Sequence, residues 1–367
     1  MYIKKFLRKM IAASLIVGGL TFVPNASEYS FVSTAQAVSA DVARKAIEVC
    51  NKAIEKNPKD AGKYASRGLM YSELGQFDKA FADINKAINL DNKNAEFYYF
   101  RAVVYVKIKK YNEAIADCKT AIKFNEKYAD AYGELGYAYR MLKQYDNAIP
   151  YCNKAIELDP NNMNSYYNLG VIYIHTKNYN KAIENFNKVI MLNPKLAEGY
   201  SGRGDAYRAL KQYDKAISDY NKAIQLNPNY ASCYSSLGGI YSLNLDVKDY
   251  NKAIEYYSKC IQILPNFFGG YWYRGYCYYK LKDYNRAITD LTKAIELEPK
   301  DEDSYWYRGL AYNNLKNYKQ AIIDFSKAIE INPNNDKLYT NRGLAYKALG
   351  ETAKAETDFA KAKQLQK

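Results

Sequence analysis

Residues 302–335 read EDSYWYRGLAYNNLKNYKQAIIDFSKAIEINPNN, and this pattern of 34 residues recurs along the chain. A small residue followed three positions later by a tyrosine marks each copy, and the spacing is 34 residues except for one step of 37. The small residues are Gly68, Ala102, Gly136, Gly170, Gly204, Gly238, Gly275, Gly309 and Gly343. Self-similarity with a fixed period of this length is typical of solenoids.

Each copy contains two segments with helical periodicity. In the fifth copy, Tyr200, Gly204 and Tyr207 share one face of the first segment, and Ala216 and Tyr220 share one face of the second. The small residue lets two helices approach closely, and a proline after most second segments ends the helix. The sequence therefore predicts an all-α solenoid of antiparallel helix pairs.

The predicted organisation has three parts. Residues 1–37 are expected to be a signal peptide, and 38–60 an N-terminal half-repeat that supplies a single capping helix. Nine repeats follow, at 61–94, 95–128, 129–162, 163–196, 197–230, 231–267, 268–301, 302–335 and 336–367.

The N-terminal segment has the features of an export signal. Four basic residues lie within the first nine, an apolar stretch spans 10–23, and Ala35-Gln36-Ala37 forms an A-x-A cleavage pattern. A cut after Ala40 and an uncleaved N-terminal membrane anchor are the alternatives. No second apolar stretch is long enough to span a membrane. We therefore expect export to the periplasm, the cell envelope or the medium.

The composition describes a folded, basic chain. Its 367 residues include 40 tyrosines and carry a formal net charge of +14. An excess of lysine favours acidic partners or anionic surfaces, and would also suit nucleic acid. Export argues against nucleic acid, and most of the lysines recur at helix positions expected to face solvent.

Residues for catalysis or metal binding are scarce. His175 is the single histidine, and neither a phosphate-binding loop nor a G-x-S-x-G motif is present. The six cysteines occupy packing positions, and Cys260 with Cys277 is the best candidate for a disulfide. The sequence predicts no enzyme activity, no cofactor and no metal.

Arginine and aspartate vary together between repeats. Six repeats carry an arginine before the small residue and an aspartate sixteen positions later: Arg67 and Asp83, Arg101 and Asp117, Arg203 and Asp219, Arg274 and Asp290, Arg308 and Asp324, Arg342 and Asp358. The other three have Leu135 with Tyr151, Leu169 with Asn185, and Leu237 with Tyr256. Losing one member of a buried pair costs more than replacing both. We expect six structural ion pairs; an arginine ladder for an anionic ligand is the alternative.

Two motifs connect this pattern to a known family. Tyr-x-x-Arg-Gly-x-Ala-Tyr spans 305–312, and Ala-Ile-x-x-Phe-x-Lys-Ala-Ile spans 321–329. The copies of this pattern follow one another in phase over about residues 42–367, and over this range the chain resembles the tetratricopeptide repeat family. The resemblance implies a right-handed superhelix whose concave groove, lined by the first helix of each pair, binds a peptide or another protein.

Matching the repeats of this chain to those of the family shows which residues correspond to its groove positions. Two candidate patches result. The preferred patch contains Trp272 and Trp306, which occupy the same position in two successive repeats (a column of the repeat alignment). Tyr276 and Tyr279 lie on the same helix face as Trp272. The second patch contains Tyr99, Tyr137, Arg140 and Tyr167, where Arg140 could meet a carboxylate. Exposed aromatic clusters are enriched at binding hot spots, although rings also pack between repeats. The family's carboxylate clamp is not reproduced.

Three functions fit these features. The first is a protein-interaction scaffold that binds an extended peptide or a helix. The second is a carbohydrate- or peptidoglycan-binding module that uses groove aromatics, with a cell-wall polymer as its partner. The third is an envelope assembly factor that acts through its convex surface.

Overall fold

A computed structural model describes residues 40–244 and 248–366 of the chain. These residues form nineteen helices and no β-strand. The helices are α1 (Ala40–Lys56), α2 (Ala61–Glu73), α3 (Phe77–Leu90), α4 (Ala95–Lys107), α5 (Tyr111–Phe124), α6 (Ala129–Met141), α7 (Tyr145–Leu158), α8 (Met163–His175), α9 (Tyr179–Leu192), α10 (Ala197–Ala209), α11 (Tyr213–Leu226), α12 (Ala231–Leu243), α13 (Tyr250–Ile263), α14 (Phe268–Lys280), α15 (Tyr284–Leu297), α16 (Glu302–Asn314), α17 (Tyr318–Ile331), α18 (Asp336–Ala348) and α19 (Thr352–Leu365).

A polar cap and a tight turn shape the pair formed by α16 and α17. The side chain of Asp301 accepts a hydrogen bond from the backbone N–H of Ser304, 2.7 Å away, at the start of α16. Between α16 and α17, Lys316 adopts a φ of 60°. This left-handed conformation reverses the chain within three residues, so the two helices run antiparallel.

The small residue of each repeat lies where two helices touch. A Cβ atom added to Gly309 would come within 2.8 Å of Phe325, and one added to Gly136 within 2.4 Å of Cys152 Sγ. Both distances are shorter than van der Waals contact, so a larger residue would push the helices apart. The fully buried Phe325 fills the space that the glycine leaves.

The described residues divide into two compact units, at 40–216 and at 217–366, and the division falls within α11. In the first unit, Ile84, Leu135 and Phe186 are buried core residues. In the second unit, Leu291 and Phe325 have this role. All six cysteines are buried and none forms a disulfide.

The predicted fold class is confirmed: the described chain is an all-helical solenoid in which consecutive helices pack as pairs. None of the described helices is long and apolar enough to cross a membrane. The predicted signal peptide lies outside the described residues and stays a prediction, as do the repeat boundaries.

Candidate functional site

An aromatic cluster in the second unit contains the preferred patch of the sequence analysis. Trp272 and Tyr276 are four residues apart on α14, and their rings stack at 5.8 Å with an angle of 4° between the planes. The spacing places both on one helix face. Tyr279 lies on the same helix, and α16 contributes Trp306 and Tyr307. We call these five residues the aromatic cluster.

Tyr307 is the centre of this cluster, and the sequence analysis missed it. The centroid of its ring lies 5.8 Å from that of Trp272, 5.3 Å from Tyr276, 5.5 Å from Tyr279 and 5.2 Å from Trp306. Three of these contacts are edge-to-face, the arrangement that aromatic quadrupoles favour. The signal was present, because Tyr307 follows Tyr276 by 31 and Trp272 by 35 residues, close to the repeat length.

The cluster is half-buried, neutral and flanked by positive charge. Burial raises the pKa of the Tyr276, Tyr279 and Tyr307 hydroxyls, so they stay protonated at neutral pH. Lys280 Nζ lies 5.2 Å from the centre of the Tyr276 ring, within the range of a cation–π interaction. Such a surface offers apolar contact area beside a cation.

The second predicted patch is not an exposed surface, and this prediction is wrong. Tyr99, Tyr137 and Tyr167 are between 3% and 6% exposed, and Arg140 is 8% exposed. The rings of Tyr99 and Tyr167 instead pack against Tyr128 at 5.1 Å and Phe186 at 5.8 Å. These aromatic residues therefore belong to the core of the first unit.

Five of the six expected ion pairs have bidentate geometry. In each, the arginine Nε and Nη2 donate to both carboxylate oxygens over 2.6–2.9 Å. They are Arg67 with Asp83, Arg101 with Asp117, Arg274 with Asp290, Arg308 with Asp324, and Arg342 with Asp358. The pairing of Arg203 with Asp219, which belong to different units, stays a prediction.

The third nitrogen of these arginines makes a contact that the sequence analysis did not predict. Nη1 donates to a polar side chain sixteen residues earlier, in the preceding repeat: Asn51, Asn85, Asn187, Ser258, Thr292 and Ser326 are the acceptors for Arg67, Arg101, Arg203, Arg274, Arg308 and Arg342, at 2.7–3.0 Å. Each arginine therefore joins two repeats. In the five bidentate pairs every guanidinium nitrogen is occupied, and this geometry favours a structural role over anion binding.

Two charged side chains of α6 are buried without full pairing. Glu134 is 2% exposed, and its Oε1 has no hydrogen-bond partner in the described chain. Burial, reinforced by Asp130, raises the pKa of Glu134 to about 8. Arg140 donates from Nε to Asn168 Oδ1 at 2.9 Å, but its Nη2 has no partner among the described residues. No sequence pattern distinguishes Glu134 from the many surface carboxylates.

Catalytic or metal-binding clusters do not emerge from the geometry. Within the ranges that the structure describes, no group of three or more His, Cys, Asp or Glu residues could hold a metal ion. His175 is exposed, and its ring stacks on Tyr145 at 5.3 Å. Partial desolvation of the stacked ring, together with the charges of Arg140 and Lys143, lowers the pKa of His175, so the imidazole is mostly neutral at pH 7.

Family models match much of the chain. Models of the tetratricopeptide repeat match residues 129–162, 197–230 and 304–335, residues 151–184 and 325–357, and residues 231–267. A model described as TPR repeat matches 275–316, and these ranges together cover more than half of the chain. The chain belongs to the tetratricopeptide repeat family. Membership of this family supports a role as a protein-interaction scaffold.

Other comparisons place this tetratricopeptide repeat protein among similar chains. Residues 41–121 match the model of anaphase-promoting complex, cyclosome, subunit 3. None of the curated proteins matches the sequence. Among solved structures, MamA is 29% identical, with 44% of this chain and 94% of that chain covered and a TM-score of 0.43. YrrB, "a TPR protein with an unusual peptide-binding site", is 27% identical, with 52% and 98% covered and a TM-score of 0.42. A tetratricopeptide repeat protein from Parabacteroides merdae is 19% identical, with 68% and 98% covered and a TM-score of 0.48.

Proposed function

We propose that this tetratricopeptide repeat protein is an exported, non-enzymatic scaffold that binds an extended peptide or a helix of another protein. The observation that carries the proposal is the aromatic cluster, in which four half-buried rings gather around the half-buried ring of Tyr307. Export rests on the N-terminal sequence alone. The partner would bind in the concave groove that the family resemblance implies.

The physical properties of the cluster support a protein partner. Tryptophan and tyrosine supply a large contact area at a low cost in side-chain entropy, and they dominate the energetics of many interfaces. Lys280 beside Tyr276, and Lys337 at 5.9 Å from the ring of Trp306, add positive charge at the edge. We therefore expect the bound segment to combine apolar side chains with an acidic residue.

Replacing both tryptophans should weaken partner binding strongly. We expect the Trp272→Ala/Trp306→Ala variant to bind its partner at least about 30-fold more weakly, because a central aromatic anchor is worth about 2 kcal/mol or more. Partners would be captured from an envelope fraction with the full chain, identified, and then titrated as purified proteins against both forms.

A matched control removes two rings from the same helices. Tyr271 and Tyr305 directly precede the tryptophans, and their hydroxyls donate to the backbone oxygens of Pro265 and Pro299 instead of joining the cluster. The Tyr271→Ala/Tyr305→Ala variant should therefore keep the partner. Undiminished binding by a tryptophan variant that melts like the wild type would contradict the proposal.

The same variants discriminate the other functions. Retention on insoluble cell-wall polymer that is lost with the tryptophans would indicate a carbohydrate-binding module. Self-association detected by light scattering and unaffected by either variant would indicate an assembly factor that acts through another surface.

A further inference from the structure

The turns between the paired helices of the last three repeats expose apolar side chains. These turns span residues 280–286, 314–320 and 347–354, all in the second unit, and we call them together the turn edge. Each turn has a leucine directly after its first helix, with 37–43% of the residue exposed: Leu281, Leu315 and Leu349. Single exposed leucines are common, but three at one edge indicate an interaction surface.

Positive charge dominates the turn edge, which contains seven basic and two acidic residues. Both carboxylates are paired within their own turns, Asp283 with Arg286 and Glu351 with Lys354. Four further lysines are exposed and make no hydrogen bond, ion pair or ring contact within the part of the chain that the structure describes: Lys282, Lys316, Lys319 and Lys347. Their charge is therefore available to an external partner.

Two of these lysines have a backbone conformation that glycine adopts more readily. Lys282 and Lys316 have φ values of 63° and 60°. The corresponding turn of the last repeat has Gly350 with a φ of 79°, so this turn accepts glycine. A side chain in the left-handed region costs conformational free energy. The dipole of the preceding helix would be satisfied equally by a lysine in its last turn, such as Lys347 in α18. The stability of the turn therefore does not explain the lysines.

The three turns lie side by side. The first helices of these repeats, α14, α16 and α18, contact one another in succession. Axes of helices in contact are about 8–10 Å apart, so each turn lies about one helix diameter from the next. Three tips at this spacing can rest on one flat surface at the same time.

The opposite ends of the same helices carry the opposite charge. Residues 298–303, where α15 ends and α16 begins, include four acidic residues and one lysine. The charges of the second unit are therefore segregated between the two ends of its helices. An anionic surface would attract the turn edge and repel the other end, which gives the approach one orientation.

We propose that the turn edge attaches the chain peripherally to a bilayer that contains anionic lipids. The leucines enter the boundary between headgroups and acyl chains, and the lysines lie against the lipid phosphates. Apolar insertion together with several lysines supplies the two kinds of attraction that peripheral attachment requires. The exposed leucines favour a bilayer over a soluble polyanion, which offers them no apolar contact. The proposal goes beyond the scaffold function and uses residues separate from the aromatic cluster.

A fluorophore at the turn edge measures contact with lipid locally. The full chain carrying Leu315→Cys is labelled with an environment-sensitive dye, and the six native cysteines, which are buried, are protected from labelling. We expect the fluorescence to rise with vesicles of phosphatidylcholine that contain about one-third phosphatidylglycerol, and not with pure phosphatidylcholine. The same dye at Asn334→Cys, in the exposed loop at the opposite ends of the helices, should not respond.

Two double variants separate binding from folding. Lys282→Gly/Lys316→Gly should weaken partition into the anionic vesicles about 10-fold or more. It should not lower the melting temperature, because glycine suits the left-handed turn. Lys259→Gln/Lys327→Gln removes the same charge from exposed positions on second helices of the same unit and should keep binding. All forms share one N-terminal segment, so its contribution to lipid affinity cancels in the comparison.

Several results would overturn the proposal: no dye response at Leu315→Cys, an equal response to neutral vesicles, a response to inorganic polyphosphate but not to vesicles, or full partition by the glycine variant. The Trp272→Ala/Trp306→Ala variant should bind vesicles like the wild type, because neither tryptophan lies in the turn edge. Loss of the protein partner in that variant with vesicle binding intact supports both proposals, whereas loss of vesicle binding would contradict the assignment to the turn edge.

Discussion

Replacing Glu134 with glutamine is expected to stabilise the chain at alkaline pH and to change its stability little near pH 4. Glu134 is 2% exposed, and its Oε1 has no hydrogen-bond partner in the described residues. Its neighbour Asp130 also raises the pKa, whereas Lys107 lowers it. Lys107 is itself paired with Glu73, at 2.5 Å, and cannot fully compensate Glu134. The protein therefore favours the protonated form of this carboxyl.

The direction of the pH dependence follows from the two pKa values. An unfolded chain releases the proton of Glu134 above an ordinary pKa of 4.5, whereas the folded chain keeps it up to about 8. Between these values the folded state binds more protons than the unfolded state, so the free energy of unfolding falls as the pH rises. The contribution of Glu134 to the free energy of unfolding is therefore fully present only below about pH 4.5 and is lost as the pH rises.

The size of this change in the free energy of unfolding is set by the difference between the pKa of Glu134 in the unfolded chain and in the folded chain. It reaches at most about 5 kcal/mol above pH 8, because each tenfold change in proton affinity is worth about 1.4 kcal/mol. Glutamine has a similar volume and cannot ionise, so it removes the pH-dependent penalty.

Urea unfolding of the wild type and Glu134→Gln across this pH range measures the difference. The exposed Glu113 of α5, replaced by glutamine, controls for the loss of one negative charge from the same unit. Parallel pH profiles for wild type and Glu134→Gln would show that Glu134 ionises normally in the folded chain, contrary to the prediction.

The fold and the Arg–Asp pairing could be predicted from the sequence because both depend on spacing. A small residue every 34 positions fixes where helices touch, and an arginine without its aspartate would leave a charge in that contact. The contact of Nη1 with the preceding repeat depends on how successive helix pairs sit beside each other. The signal existed, since asparagine, serine or threonine precedes all six arginines by sixteen residues.

The two aromatic patches show where prediction by register fails. Tyr99 and Tyr167 share a column with Trp272 and Trp306, yet the tyrosines are buried and the tryptophans half-buried. Register gives the direction of a side chain on its helix. The burial of a side chain depends on the size and position of its neighbours, such as Phe186 beside Tyr167. The position of a residue within its repeat does not specify those neighbours.

The structure explains how tyrosine replaces the charged pair in two repeats. The ring of Tyr151 stacks on Tyr139 at 5.6 Å and lies 6.4 Å from Tyr132. Tyr132 and Tyr139 occupy the same columns as Tyr64 and Tyr71. In the Arg67 repeat those two rings flank the guanidinium, at 5.4 Å and 5.9 Å. One pair of tyrosines thus accommodates either a guanidinium or a third ring.

A double substitution should therefore rescue a damaging single one. Arg67→Leu leaves the carboxylate of Asp83, whose side chain is 11% exposed, without its bidentate partner, and should cost about 3 kcal/mol. Arg67→Leu/Asp83→Tyr reproduces the Leu135 and Tyr151 combination and should lie within about 1 kcal/mol of the wild type, because the new ring fills the space between Tyr64 and Tyr71.

Hydrogen exchange of the α2 and α3 amides provides the local measurement, because repeat arrays unfold in parts and a single melting temperature averages over them. Arg67→Leu should accelerate exchange in both helices, and the double variant should restore protection. Asp83→Tyr alone places a ring against the retained guanidinium and serves as the fourth corner of the cycle. If the double variant exchanges as fast as Arg67→Leu, the two kinds of repeat are not interchangeable, and the Leu–Tyr repeats depend on neighbours beyond these tyrosines.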